Sequence, residues 1–125
     1  MTDPDPAPEV RQQCAALMAA LPATVLDEPR RTVEPGQLSA AWGDPTITLR
    51  CGVEKPPGLG AESECWEVNG VGWFAEEAAC GYLFTTIGRS AYVQVGVPST
   101  YTSPSDSLVD VAEAAKQIPV EQPCI

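Results

Sequence analysis

Histidine is absent from this chain of 125 residues. With it go the Ser-His and Cys-His nucleophile pairs and every imidazole metal ligand. Basic residues are scarce as well: seven Lys and Arg stand against 17 Asp and Glu, a formal charge of -10, and the one basic pair is Arg30 and Arg31. Nucleic-acid binding by phosphate neutralisation needs a basic stripe, so no nucleic-acid partner is expected. The same acidity disfavours direct docking on an anionic membrane surface and suits a basic protein partner, or simply solubility. No stretch approaches the roughly 18 to 20 consecutive apolar residues of a membrane span, and no basic region followed by an apolar one opens the chain. Aromatic residues make up only 6%, and much of the 44% apolar content is alanine, so bulky core material is thin.

Cysteine is plentiful by contrast. Cys14, Cys51, Cys65, Cys80 and Cys124, without histidine or a close CxxC pair, have little to do in a reducing cytosol. They place the chain in an oxidising, extracytoplasmic compartment, with a signal or membrane anchor expected to have been removed ahead of it. A metal site is disfavoured, because the spacings are not paired knuckles. The length fits one core, stapled by disulfides.

Residues 1–8 contain Asp3-Pro4-Asp5-Pro6-Ala7-Pro8 and read as a proline-rich spacer, leaving 9–125 as a single domain. Val10, Cys14, Leu17, Met18 and Leu21 recur at helical spacing up to Pro22, which predicts a first helix. Thr24 to Ser39, with Pro29, Pro35 and Gly36, reads as an irregular connection. Thr46 to Cys51 alternates cleanly and predicts a half-buried strand. After a loop rich in proline and glycine, Cys65 to Asn69 and Val71 to Phe74 read as a hairpin turning at Asn69-Gly70. Ala75 to Gly81 is read as a short connection, and Tyr82 to Ile87 with Ala91 to Val97 as a second hairpin. Ser103-Pro104-Ser105-Asp106 opens a second helix carrying Leu108, Val111, Ala112, Ala115 and Ile118, which ends near Pro119. The expected fold is α+β: a four-stranded antiparallel sheet of two hairpins, with the N- and C-terminal helices packed on one face.

Five thiols allow five choices of the odd one and three pairings of the rest. Position narrows these. Cys51 ends one predicted strand and Cys65 begins the next, so a bridge between them is expected. Cys14, on the buried stripe of the first helix, is expected to reach Cys124 in the tail after the second. Cys80 is left as a free thiol.

Ala40-Ala41-Trp42-Gly43-Asp44-Pro45, Leu49-Arg50-Cys51-Gly52-Val53, Val68-Asn69-Gly70-Val71-Gly72-Trp73-Phe74, Thr85-Thr86-Ile87-Gly88-Arg89 and Pro123-Cys124 together resemble the actinobacterial domain-of-unknown-function family 3515. The resemblance runs from about Cys14 to Cys124. It implies a small envelope protein, ordinarily preceded by a signal peptide or a single membrane helix, and it implies no known activity. The four cysteines paired above match the family pattern, whereas Cys80 is extra.

Chemistry is sparse. Asp44, Glu54, Glu67, Glu76 and Glu77 lie near the strands without the paired spacing a glycosidase needs, and read as solvated charge. Trp42 beside Asp44-Pro45 is either a binding rim or, as favoured, a structural group. Trp66 and Trp73 read as core or cross-strand partners. Arg89 at a hairpin tip and Arg50 on the polar side of its strand form a candidate site for a carboxylate or phosphate, set against internal salt bridges. The expectation is a non-enzymatic envelope domain with no cofactor and no metal. It binds a protein or cell-wall partner, as an accessory subunit of a membrane assembly, and meets the membrane only through the missing anchor. A small anionic ligand or cell-wall fragment held by Arg50, Arg89 and Trp42 is the alternative.

Overall fold

The computed structural model describes residues 4–32, 38–59, 65–78 and 81–121. The first apolar stripe forms helix α1, Pro8–Ala19. Pro8 stands in the first turn, where its missing N–H costs no hydrogen bond, and Glu9 faces the positive end of the helix dipole. The chain leaves the helix at Ala20, ahead of Pro22, and α1 buries Cys14 and Leu17.

Among the described residues eight strands follow. They are β1 (Thr24–Val25), β2 (Glu28–Arg31), β3 (Ser39–Trp42), β4 (Ile47–Val53), β5 (Trp66–Val68), β6 (Val71–Ala78), β7 (Gly81–Thr86) and β8 (Tyr92–Pro98), all before helix α2 (Asp106–Ala115). They make one antiparallel sheet in the order β1-β2-β3-β4-β8-β7-β6-β5. The expected four-stranded α+β sandwich is therefore wrong: the molecule is mostly β.

Two stretches account for most of the difference, and the strand expected at Thr46 to Cys51 joins the same sheet rather than standing outside the two hairpins. The stretch from Thr24 to Ser39, taken as irregular, contains β1, β2 and the start of β3. Its first turn, Leu26-Asp27, takes positive φ at both residues (52° and 63°) and so closes a two-residue hairpin without the glycine that usually announces one. The Leu26 N–H donates to the Asp110 carboxylate of α2 at 2.9 Å, which ties the hairpin to the helix. Pro29 fits within β2 because it takes part through its carbonyl, which accepts from the Gly43 N–H at 3.0 Å. Further on, β6 runs through Glu76 and Glu77 to Ala78, where a connection was expected.

The Asn69-Gly70 turn stands as read, with φ of 49° and 87°. Strands β4 and β8 alternate: Ile47, Leu49 and Cys51 are buried on one face beside Val93, Val95 and Val97. Register carries that inner face across to Phe84 and Trp73 on one side and to Ala40 and Trp42 on the other. Helix α2 touches β1 at one edge of the sheet, β8 in its middle and β5 at the other edge. The sheet therefore wraps around α2. Ala112, Ala114 and Ala115, all buried, keep that helix slim enough for strands to close in on several sides. Each fully buried Val, Leu or Ile of this shared core contributes about 1.5 to 3 kcal/mol.

The disulfides differ from expectation. Cys14 bonds Cys51, with Cα atoms 5.8 Å apart, because α1 crosses β4 on the inner face. Cys51 and Cys65 were paired on the assumption that consecutive strands are neighbours. In the sheet β5 lies four positions from β4, about 19 Å away at the usual strand spacing, too far for a bridge. Cys65 is itself disulfide-bonded. Cys80 and Cys124, the expected free thiol and the expected mate of Cys14, lie outside the described residues.

Candidate functional site

The outer face of the sheet carries a polar row. Ser39 on β3, Arg50 on β4, Gln94 on β8 and Thr85 on β7 are successive register partners. Ser39 Oγ, Arg50 Nε and Thr85 Oγ1 are buried without a hydrogen-bond partner. A buried polar atom left unpaired costs about 1 to 3 kcal/mol. Of Ser39, Arg50 and Thr85 only Arg50 also lines a cavity; Trp73 Nε1, in the core on the inner face, is likewise without a partner.

A cleft of about 650 Å³ opens over the Arg50 and Gln94 members of this row. Arg50, Gln94, Leu83 and Glu76 floor it, the segment Pro4-Asp5-Pro6 forms one wall, and the chain from Val53 to Pro57 forms another. The wall at Pro6 rests directly on Gly52, whose φ is 89° and whose missing Cβ would stand 2.7 Å from the proline ring. Only glycine serves there. The segment read as a spacer thus contributes Pro4 and Pro6 to the cleft, and its last residue, Pro8, begins α1.

Charge in the cleft is nearly balanced. Asp5 is engaged by Arg11 in an ion pair, which leaves Arg50 and Lys55 opposite Glu54 and Glu76. Neither ion pair of the described residues involves Arg50, so the salt bridge weighed against a binding role is not made.

Arg50, Arg89 and Trp42 do not meet. Trp42 faces inward, fully buried, with its indole N–H donated to the Pro22 carbonyl at 3.2 Å and Arg30 over its ring at 6.0 Å. It is structural. Arg89 donates to the Ile118 carbonyl at 2.6 Å and to the Gly70 carbonyl at 3.2 Å, which clamps the segment after α2 onto the β5-β6 turn. Partial burial lowers its pKa from the ordinary arginine value. Arg50 alone of the three lines the cleft.

A family model described as "Protein of unknown function (DUF3515)" matches residues 2–123. The chain belongs to that family. No curated protein and no solved structure matches it. Among the described residues no group of three His, Cys, Asp or Glu side chains could hold a metal ion, and no helix is long and apolar enough to cross a membrane.

A second concavity escaped the sequence reading. Ala75 pairs with Phe84 and Glu77 with Tyr82, while Trp66 pairs with Trp73 on the neighbouring strand, so all these side chains share the inner face. Trp73 is buried, as its reading as a core residue required. Trp66 remains 48% exposed and Tyr82 37% exposed. With Phe84, Glu76, Glu77 and the turn Pro104-Ser105 they line a groove of about 380 Å³. The one signal in the sequence was the spacing of Tyr82 and Phe84 on a single strand face.

Proposed function

We propose that this chain is a non-enzymatic extracytoplasmic binding domain whose outer-face cleft takes a small, peptide-like ligand through its carboxylate, as a cell-wall fragment would present it. The observation that carries the reading is the Arg50 guanidinium in a 650 Å³ cleft, with its Nε buried and unpaired. A planar guanidinium without an internal carboxylate is suited to a bidentate anion contact. Glu54 and Glu76 on the same walls oppose a ligand of high negative charge and favour one whose carboxylate is balanced by an amine. The Cys14–Cys51 bridge and the bonded Cys65 support an oxidising compartment.

The test is calorimetric titration with muramyl dipeptide, alanyl-alanine and inorganic phosphate. The dipeptides are expected to bind more tightly than phosphate, and Arg50→Gln to weaken them by roughly tenfold or more, as the loss of one charge-assisted contact implies. Equal affinity in wild type and Arg50→Gln, or no heat from any of the three, overturns the reading.

A further inference from the structure

We propose that the inner-face groove formed by Trp66, Tyr82, Phe84 and Glu77 is a docking surface for a basic segment of a protein partner, with a lysine or arginine side chain lying between the exposed aromatic rings and the Glu77 carboxylate. The groove exists because α2 begins too late to cover this corner. Its first turn, near Pro104 and Ser105, forms a wall, while β6 and β7 carry the inner face past it. Trp66 and Tyr82 are therefore left open on a face that elsewhere is core.

The chemistry of the lining selects the occupant. The faces of aromatic rings carry negative quadrupole charge and attract cations. Trp66 and Tyr82 present two such rings to solvent, while buried Phe84 backs Tyr82 with ring centroids 6.3 Å apart. Glu77 adds a carboxylate on the same face, and among the described residues no Lys or Arg lines the groove. An apolar peptide would leave the Glu77 carboxylate desolvated and unpaired, and an acidic one would be repelled. A cation satisfies both the rings and the Glu77 carboxylate. The formal charge of -10 steers a basic partner in from a distance. Adjacent exposed Trp and Tyr side chains are the residue types that dominate protein interfaces, which favours a protein segment over a free small cation. This surface is independent of the Arg50 cleft: Arg50 lies on the outer face and lines no part of it.

Trp66 provides its own reporter, because Trp42 and Trp73 are fully buried and only Trp66 is open to a quencher. The oxidised chain is titrated with hexa-lysine and hexa-arginine at about 0.15 M ionic strength, where exposed charges more than about 8 Å apart are largely screened. Binding is expected to change the accessible tryptophan emission and to shield it from acrylamide. Tyr82→Ala and Glu77→Gln should each weaken binding by roughly three- to tenfold, the range of one partly desolvated cation-aromatic or charge contact, with Tyr82→Phe close to wild type. Glu9→Gln, a charge change on exposed α1, should leave affinity unchanged. The proposal is overturned if neither peptide binds, if binding leaves acrylamide quenching unaltered, if Glu9→Gln weakens binding as much as Glu77→Gln, or if tetramethylammonium alone binds as tightly as the peptides.

Discussion

Arg89 illustrates how a residue of the right chemical type is diverted from ligand binding by its neighbours. Its guanidinium holds two backbone carbonyls from segments far apart in the chain, Gly70 in the β5-β6 turn and Ile118 after α2. The same region is fastened by the isolated bridge between Arg89 and Val120 and by the Glu121 N–H donated to the Gly88 carbonyl at 2.7 Å. Hydrogen bonds from a charged donor contribute about 1.5 to 3 kcal/mol, and removing this one leaves the Ile118 carbonyl without its donor. Arg89→Ala is thus expected to lower stability by about 2 kcal/mol, read as the midpoint of urea unfolding, while leaving ligand titrations at Arg50 unchanged. Arg89→Lys should recover only part of the loss, because an ammonium cannot reproduce the forked geometry that spans both carbonyls. A fall in binding with unaltered stability would assign Arg89 to a site instead.

At the level of elements, the β1-β2 hairpin shows where local chemistry and tertiary structure disagree. Positive φ at Leu26 and Asp27 is disfavoured for side chains with a Cβ, and the turn is held by the Leu26 N–H donated to Asp110. Leu26 also packs against the core, so replacing it would trade backbone relief for lost burial. Asp27 is exposed and makes no such contact. Asp27→Gly is therefore expected to raise stability by about 0.5 to 1 kcal/mol, measured by thermal unfolding, because glycine adopts φ of 63° freely. The same turn explains what the sequence could and could not disclose. Strands β4 and β8 were legible because one face of each is buried, which imposes alternation, and Asn69-Gly70 announced its own hairpin. β3 was not legible, since Ser39, Ala40, Ala41 and Trp42 are all buried and no alternation survives. The Arg50 side of the cleft followed from the polar face of β4. The Trp66 groove did not, because its exposure depends on where α2 starts relative to the ends of β6 and β7, a tertiary relation with no local signature.

Across the whole molecule, the disulfides depend on topology rather than on order along the chain. A sheet that runs β4-β8-β7-β6-β5 sends the chain after Cys51 to the far edge and then back strand by strand. Cys51 therefore faces α1 and not β5. The Cys14–Cys51 bridge, 37 residues apart in sequence, fastens α1 to the centre of the sheet and closes a loop worth about 4 kcal/mol in the chain-entropy model. Both half-cystines are fully buried, so the bond is also shielded from reductants. Cys14, Cys51 and Cys65 are thereby accounted for as bonded. Peptide mapping without reduction is expected to join Cys14 to Cys51 and to yield no peptide joining Cys51 to Cys65. Cys14→Ser with Cys51→Ser should lower the unfolding free energy by about 2 to 4 kcal/mol, with α1 the first element to lose amide protection in hydrogen exchange. A peptide joining Cys51 to Cys65 would contradict the strand order itself, since no twist of an eight-stranded sheet brings strands four positions apart to bonding distance without breaking the pairings between them.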